Sequence, residues 1–298
     1  MKRFALLSLL LVLAVSSYGF AQVSVTINVT HDTGVATAYT GSGSSLGIAC
    51  GNAFNAAYAA LVSGDVMQIP AETACYLNGG SDGDYDNFPP NIKVIGESPE
   101  LTTLILGYGA DFVLSGNDQV MQGLTINSAG SRPEDGNVVN VSPTTGTFTM
   151  SYVNANTALD CDDDGTLGVS ATQSGSVLLS HVNFMSGGYS AISYASWGTG
   201  AITVRDSTIA TYCNNAMTSY GNVNIYNSLI TNSPWDTDDN AYYPSAGTVN
   251  FYGGTSIISP PGTTAIPCAT GVTFYPGSYA SSIDNNTGNG NCVTLTTP

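Results

Sequence analysis

Residues 202–209 read ITVRDSTI, and apolar and polar residues alternate on both sides of Asp206. The stretch VNIYNSLI at 223–230 repeats this arrangement around Asn227. An amphipathic helix would place apolar residues at every third or fourth position, whereas a period of two with many Val, Ile, Thr and Tyr residues is typical of strands. We therefore predict two short strands joined by a sharp bend in each stretch.

The pattern recurs along the chain at a nearly constant interval. Ala191, Ala216, Ala241 and Ala265 open four copies and lie 25, 25 and 24 residues apart. A fixed period of this length is the signature of a repeat architecture. Gly, Asp and Asn tolerate the left-handed backbone of a sharp bend, whereas Tyr and His fit it less well. The predicted bend residues are Gly123, Tyr152, His181, Asp206, Asn227 and Gly253.

Three short strands and three turns in about two dozen residues describe one coil of a parallel β-helix, with coils about 4.8 Å apart. In this pattern the chain resembles the right-handed parallel β-helix, or pectate-lyase-like (pectin-lyase-fold), superfamily. The resemblance extends to residues 50–107, where it implies a capping helix over 53–61, a turn at Gly64 and Asp65, and a strand over 66–69. The implied fold is all-β: a right-handed parallel β-helix solenoid with a short N-terminal capping helix.

The N-terminus has the pattern of a signal peptide. Lys2 and Arg3 precede an apolar run, and small residues stand before a cleavage site at Gln22. A membrane anchor is the alternative, but the run is short for a span and no second run follows. We divide the chain into a signal peptide (1–21) and a single secreted domain (22–298), with a cap region at 50–75 and coils at 90–280.

The charge balance limits the partners. Without the signal peptide the chain keeps Lys93, Arg132 and Arg205 against 21 acidic residues, a net charge of −18. This excludes nucleic acid as a partner, because no basic surface exists to neutralise phosphates. Acidic polysaccharides would be repelled unless a divalent cation bridges the two sets of carboxylates. We expect a polysaccharide or cell-surface glycan as the partner and no membrane span after signal cleavage; the oligomeric state stays open.

Six cysteines in a secreted chain imply up to three disulfide bonds, and sequence alone allows about 15 connectivities. Metal binding by cysteines is the alternative, but no CxxC pair occurs. Positions along the chain suggest the pairs Cys50–Cys75 at the cap, Cys161–Cys213 in two loops, and Cys268–Cys292 near the C-terminus.

Two loops that follow the second strand of a coil are acidic. The first, at 160–164, is one coil from Arg132, Glu134 and Asp135, so their side chains are expected within about 5 to 8 Å of one another. The second, at 236–239, is three coils away, on the order of 14 Å, beyond the separation of about 5 to 9.5 Å in glycosidase carboxyl pairs. The candidate catalytic residues are Arg132, Glu134, Asp135 and Asp163.

Two reactions suit this acidic neighbourhood. Crowded carboxylates raise one another's pKa, so one can serve as a general acid while another activates water for inverting hydrolysis. Alternatively, Asp160, Asp162 and Asp164 hold Ca²⁺, since they match the first half of an EF-hand loop, although Ala171 stands where the final glutamate would be. The resemblance then implies a lyase with a basic residue, Arg132, as the base. The hydrolase signatures of the superfamily are absent.

Aromatic residues recur in the coils that follow. Exposed rings at coil spacing can stack on sugar faces, and the alternative is that such rings pack inside or beside the coils. The candidate substrate-binding residues are Trp197, Tyr189, Tyr212 and Trp235, with Tyr194, Tyr220, Tyr242 and Tyr243 in the same set.

The sequence thus predicts a secreted β-helix protein that interacts with extracellular polysaccharide, as a Ca²⁺-assisted polysaccharide lyase or an inverting glycoside hydrolase. The alternative is a non-catalytic surface, matrix or adhesive β-helix protein. In that case the exposed Asp, Gly and Asn residues of the acidic loops make turns and keep the solenoid soluble. The sequence leaves open whether the protein is an enzyme.

Overall fold

The computed structural model describes residues 22–77, 85–86, 88–107, 110–128, 136–157, 164–171, 174–187, 190–196, 199–233, 239–267, 269, 271–283 and 293–296. The predicted signal peptide, 1–21, lies outside them. The described residues form a helix, α1 (Leu46–Tyr58), and a series of short strands. The strands are β1 (Val23–Thr30), β2 (Ala36–Gly43), β3 (Val66–Gln68), β4 (Thr73–Leu77), β5 (Lys93–Ile95), β6 (Thr102–Leu106), β7 (Phe112–Leu114), β8 (Val120–Ser128), β9 (Gly136–Val141), β10 (Thr147–Asn156), β11 (Asp164–Ala171), β12 (Ser176–Ser186), β13 (Ile192–Ser196), β14 (Ala201–Arg205), β15 (Thr208–Thr211), β16 (Met217–Ser219), β17 (Asn222–Tyr226), β18 (Leu229–Asn232), β19 (Tyr242–Pro244), β20 (Val249–Phe251), β21 (Ser256–Ile258), β22 (Val272–Phe274), β23 (Tyr279–Ala280) and β24 (Val293–Leu295).

The strands stack into three parallel ladders, one for each face of the coil. Ladder 1 runs through β3, β5, β8, β10, β12, β14, β17, β20, β22 and β24. Ladder 2 runs through β4, β6, the second halves of β8, β10 and β12, and then β15, β18, β21 and β23. Ladder 3 is a six-stranded sheet of β7, β9, β11, β13, β16 and β19. The chain is therefore a parallel β-helix, as the repeat predicts.

The core is a set of columns in which register partners stack directly on one another. Ala191, Ala216, Ala241 and Ala265, which open the sequence repeats, are all fully buried. Their carbonyl groups accept hydrogen bonds from the preceding coil, for example from the Leu167 N–H at 3.0 Å. A longer column follows ladder 1, and its members are Met67, Val94, Met121, Met150, Leu179, Val204, Ile225, Phe251 and Phe274.

The bends between ladders 1 and 2 adopt left-handed backbone conformations. Five of the six predicted positions are correct, with φ values of 66° at Gly123, 52° at Tyr152, 54° at His181, 49° at Asp206 and 43° at Asn227. The sixth prediction is wrong by one residue, because Gly254 rather than Gly253 has a positive φ, 80°. The rings of Tyr152 and His181 stack at 4.5 Å, which offsets part of the cost of a left-handed backbone at side chains of this size.

Helix α1 starts and ends earlier than the predicted 53–61. The Ser45 hydroxyl accepts a hydrogen bond from the Ile48 N–H at 3.3 Å and fixes the N-terminus. Buried residues of α1 include Cys50 and Phe54, which face the first coil. Cys50 forms a disulfide bond with Cys75 in β4, which confirms the first predicted pair.

The cap also contains a hairpin that the sequence analysis does not predict. Strand β1 pairs antiparallel with both β2 and β3, so it covers the first edge of ladder 1 and prevents edge-to-edge pairing there. The turn between β1 and β2 is held by His31, whose Nδ1 lies 3.0 Å from Oδ1 of the fully buried Asp65. Asp65 Oδ2 accepts a hydrogen bond from the Val62 N–H at 2.9 Å. This carboxylate therefore joins the hairpin to the first coil.

Candidate functional site

A groove of about 200 Å³ lies on the outer surface of ladder 3. The outward positions of this ladder are in register, so Asn140, Gly168, Ser193 and Thr218 follow one another from coil to coil. Asn137 and Ser142 complete the polar lining. The groove thus presents uncharged amide and hydroxyl groups from Asn137, Asn140, Ser142 and Ser193, with Gly168 between Asn140 and Ser193 in the column.

The amide groups at the bottom of the groove are held in one orientation. Asn140 Nδ2 donates to Asp111 Oδ2 at 2.8 Å, and Asn137 Nδ2 donates to Asn140 Oδ1 at 3.2 Å. Asp111 is only 7% exposed, so its carboxylate supports the amides from beneath rather than facing solvent. The three side chains come from two neighbouring coils, 29 residues apart between Asp111 and Asn140.

Two glycines of β11 make room for this cluster. A Cβ atom on Gly168 would lie 2.5 Å from Asn140 Oδ1 and still closer to Asn137 Nδ2. A Cβ atom on Gly165 would overlap Asn137 Oδ1. The Asn137 amide therefore lies across β11 only because both positions lack a side chain. An isolated glycine inside a strand pattern signals such a close approach, and this signal in LGV (167–169) is the one that sequence analysis missed.

Most of the predicted catalytic and metal-binding residues lie outside the described residues: Arg132, Glu134, Asp135, Asp160, Asp162 and Asp163. Asp164 opens β11 and pairs with Gly136, the first residue of β9. The two predicted loops therefore lead into adjacent strands one coil apart, as expected, and both strands form the floor of the groove. The predicted convergence of the side chains stays a prediction. Among the described residues no group of three or more His, Cys, Asp or Glu is placed to hold a metal ion.

The second acidic loop leads into β19, which is separated from β11 by β13 and β16. This agrees with the predicted distance of three coil steps. Asp236 and Asp238 lie outside the described residues, and the backbone carbonyl of Asp239 accepts a hydrogen bond from Asn232 Nδ2 at 3.0 Å. In the coil order, β19 is therefore two strands beyond β13, which carries the groove residue Ser193.

The predicted aromatic residues have different environments. Trp197, Tyr189 and Trp235 lie outside the described residues, whereas Tyr212 is 41% exposed. Tyr242 is wrong as a surface candidate, because it is fully buried and its hydroxyl lies 2.7 Å from the Ser219 hydroxyl. Its ring packs in the interior, so the alternative interpretation holds at this position.

A column of stacked rings was not predicted. Tyr226, Tyr252 and Tyr275 stack at 4.3 and 4.5 Å, and the guanidinium of Arg205 lies 4.8 Å from the centre of the Tyr226 ring. Burial between its neighbours raises the pKa of Tyr252. Because the faces of these rings cover one another, the column extends the coil packing on the outside and offers few free faces to a sugar.

Of the four cysteines in the two remaining predicted disulfide pairs, only Cys213 lies among the described residues. Cys213 is disulfide-bonded. Its predicted partner Cys161, like Cys268 and Cys292, lies outside the described residues, so these two pairings stay predictions. In the part of the chain that the structure describes, no helix has the length and apolar character needed to cross a membrane.

No protein-family model and no curated protein sequence matches the chain. Two solved structures that are similar to it are A-modules of mannuronan C-5 epimerases from Azotobacter vinelandii. The AlgE6 A-module is 11% identical, with 84% of this chain and 95% of that module covered and a TM-score of 0.28. The AlgE4 A-module is 12% identical, with 84% and 93% covered and a TM-score of 0.27.

Proposed function

We propose that the protein binds an extracellular polysaccharide in the groove on ladder 3. The observation that carries this proposal is the set of uncharged amide and hydroxyl groups of Asn137, Asn140 and Ser193 that line the groove, two of them held by hydrogen bonds. A polysaccharide presents hydroxyl groups at regular intervals along an extended chain, and neutral donors and acceptors match them. The orientation of Asn140 by Asp111 lowers the cost of ordering the site on binding.

Secretion is part of the proposal. The Cys50–Cys75 disulfide bond suits an oxidising compartment, and residues 1–21 have the pattern of a signal peptide. A parallel β-helix outside the cell meets polysaccharide chains of cell walls, capsules or matrices, for which an elongated groove is a suitable shape.

The binding proposal is tested with the secreted domain and a panel of polysaccharides by isothermal titration calorimetry. Asn140→Ala is expected to weaken binding about tenfold, because it removes one oriented amide. Thr203→Ala is the control, since Thr203 lies on the outer surface of ladder 1, away from the groove. Equal affinities of the wild type and Asn140→Ala would contradict the proposal.

We further propose a catalytic role for the loops that precede β9 and β11. In the lyase form, Asp160, Asp162 and Asp164 would hold Ca²⁺, which would supply the positive charge that acidifies the proton on C5 beside a uronate carboxyl group. Arg132 in its neutral form would take that proton, the C4–O bond would break as the C4=C5 double bond forms, and the departing sugar oxygen would take a proton from water. Glu134 and Asp135 would orient the base. In the hydrolase form, Asp163 and a second carboxyl group of these loops act as acid and base. Trp197, Tyr189, Tyr212 and Trp235 are the proposed stacking residues for the bound chain.

The catalytic proposal is tested by measuring new reducing ends and unsaturated sugar products on the same panel, with and without Ca²⁺. Asp163→Ala and Arg132→Ala are expected to abolish activity, and Thr203→Ala, on the outer surface of ladder 1, to retain it. A lyase requires unsaturated product and Ca²⁺, whereas a hydrolase produces reducing ends alone. No product beside measurable binding would identify a non-catalytic surface, matrix or adhesive protein.

A further inference from the structure

A second groove lies on the outer surface of ladder 2, beside the bend that joins it to ladder 1. Its volume is about 490 Å³, and it is shallow and open to solvent. It crosses β15, β18 and β21, and it shares no lining residue with the groove on ladder 3. It therefore does not depend on the function proposed for that groove.

The polar rim of this groove is formed by two consecutive bend residues. Asn227 Nδ2 donates to Asp206 Oδ1 at 2.7 Å, and this bond fixes the orientation of the amide. Asn227 Oδ1 then points toward Gly254, where a Cβ atom would approach it to 2.5 Å. Among the described residues, Asp206 Oδ2 has no hydrogen-bond partner, and Asp206 is exposed. One carboxylate oxygen and one amide oxygen are thus available to a ligand.

The floor of the groove carries two apolar side chains, Leu229 and Ile258, beside the hydroxyl groups of Thr208 and Ser256. Leu229 is half-buried, and Ile258 is 40% exposed although it lies in a regular strand. Tyr279 follows Ser256 in the same ladder and is 57% exposed, so an aromatic residue stands at the end of the groove. Two apolar side chains beside hydroxyl groups and a polar rim suit a ligand with one apolar face and one hydroxylated edge.

We propose that this groove binds a neutral sugar residue. The C–H face of a pyranose ring covers Leu229 and Ile258, and its hydroxyl groups donate to Asp206 and Asn227. The carboxylate of Asp206 disfavours a uronate, and the guanidinium of the adjacent Arg205 lies over the Tyr226 ring. With the groove on ladder 3, the chain would hold two glycan sites on different faces, which allows it to connect two polysaccharide chains.

The test is isothermal titration of the secreted domain with neutral gluco-, manno- and xylo-oligosaccharides. Asp206→Gly and Asn227→Gly remove a polar group while glycine keeps the left-handed backbone, and Ile258→Ser removes the apolar floor. Each is expected to weaken binding at this site about tenfold. His181→Gly is the matched control, because it makes the same change at the preceding bend, outside the groove.

The effects of these variants distinguish binding at this site from binding in the groove on ladder 3. Asn140→Ala is expected to leave binding at this site unchanged. If only Asn140→Ala weakens the binding of neutral oligosaccharides, the second site is overturned while the first proposal stands. Failure of every neutral oligosaccharide to bind, or stronger binding of uronate oligosaccharides that the Asp206→Gly change removes, would also overturn it.

Discussion

Two glycines of β11, Gly165 and Gly168, leave the space that the side chains on the outer surface of ladder 3 occupy. Asn137 reaches over β11 and donates to Asn140 only because Gly165 and Gly168 carry no side chain. In a strand interior glycine weakens the strand, since it adds backbone freedom and buries no surface. Its presence at two nearby positions of β11 therefore indicates a requirement for space rather than for stability.

Gly168→Ala is expected to reduce polysaccharide binding more than it reduces stability. The new methyl group would displace the amides of Asn137 and Asn140, so the groove would lose its oriented donors, and we expect at least the tenfold loss of Asn140→Ala. Titration calorimetry and a thermal melt measure the two effects. The prediction is wrong if Gly168→Ala binds as tightly as the wild type. Gly253→Ala, outside both ladder 3 and its groove, is the control.

The bend residues show where the preference of a residue type for a left-handed backbone predicts the structure and where it does not. Asp206, Asn227 and Gly123 are residues that favour a left-handed backbone, and their pattern alone predicted the bends. Tyr152 and His181 do not favour it, yet they adopt it because the segments on either side are held in register. Those beside Tyr152 pair with β8 and β12, and those beside His181 pair with β10, β14 and β15. Stacking between their rings, which depends on that register, then stabilises the pair.

At the scale of elements, the cap is joined to the first coil by the Cys50–Cys75 disulfide bond and by the contact between His31 and Asp65. The sequence predicted a helix in this region and the Cys50–Cys75 bond, but placed the helix several residues too late. The alanine-rich run favours helix throughout, so propensity does not define its start. The hydroxyl of Ser45 and the close approach of Gly51 to the backbone of Tyr76 define it instead.

Replacing both Cys50 and Cys75 by serine is expected to lower the free energy of unfolding by about 3 kcal/mol. The bond closes a loop with a sequence separation of 25, and its loss restores the conformational freedom of that loop in the unfolded chain. Urea denaturation of the double variant and the wild type measures the difference. An unchanged denaturation midpoint would show that the helix stays docked through its apolar contacts alone.

Asp65→Ala is expected to lower the free energy of unfolding by about 1 to 3 kcal/mol. The change leaves the Val62 N–H and one ring nitrogen of His31 without the carboxylate they share. The neighbouring Asp32→Ala is the control, because Asp32 is exposed, and its effect should stay within about 0.5 kcal/mol. Similar effects of the two substitutions in urea denaturation would argue against a role for Asp65 in holding the hairpin.

At the scale of the whole molecule, each coil contacts chiefly its neighbours, so stability is approximately a sum over coils and the interfaces between them. The ladder 1 column from Met67 to Phe274 is the continuous part of this core. Its register is preserved only when a complete coil is added or removed, because a partial coil places outward residues in the interior.

Deletion of residues 224–249 is expected to give a folded β-helix that is one coil shorter. Asn224 and Asn250 are register partners, so joining Val223 to Asn250 keeps each following strand in its ladder, and the segment contains no cysteine. Deletion of 224–236 removes about half a coil and should prevent cooperative folding. Far-ultraviolet circular dichroism and thermal melting compare the two. Equal behaviour of both deletions would contradict the coil as the unit of stability.

The sequence by itself determined the class of fold, the repeating unit and its period, and most bend positions. These depend on alternation within a few residues, and alternation decides which side chains face inward whatever the neighbouring coil contains. Only the tertiary structure decided that Asp111, Asn137 and Asn140 meet over Gly168, that Asp206 and Asn227 form the rim of a second groove, and that β1 closes the first edge. These contacts join residues from different coils, so they depend on loop lengths and register, which no local pattern contains.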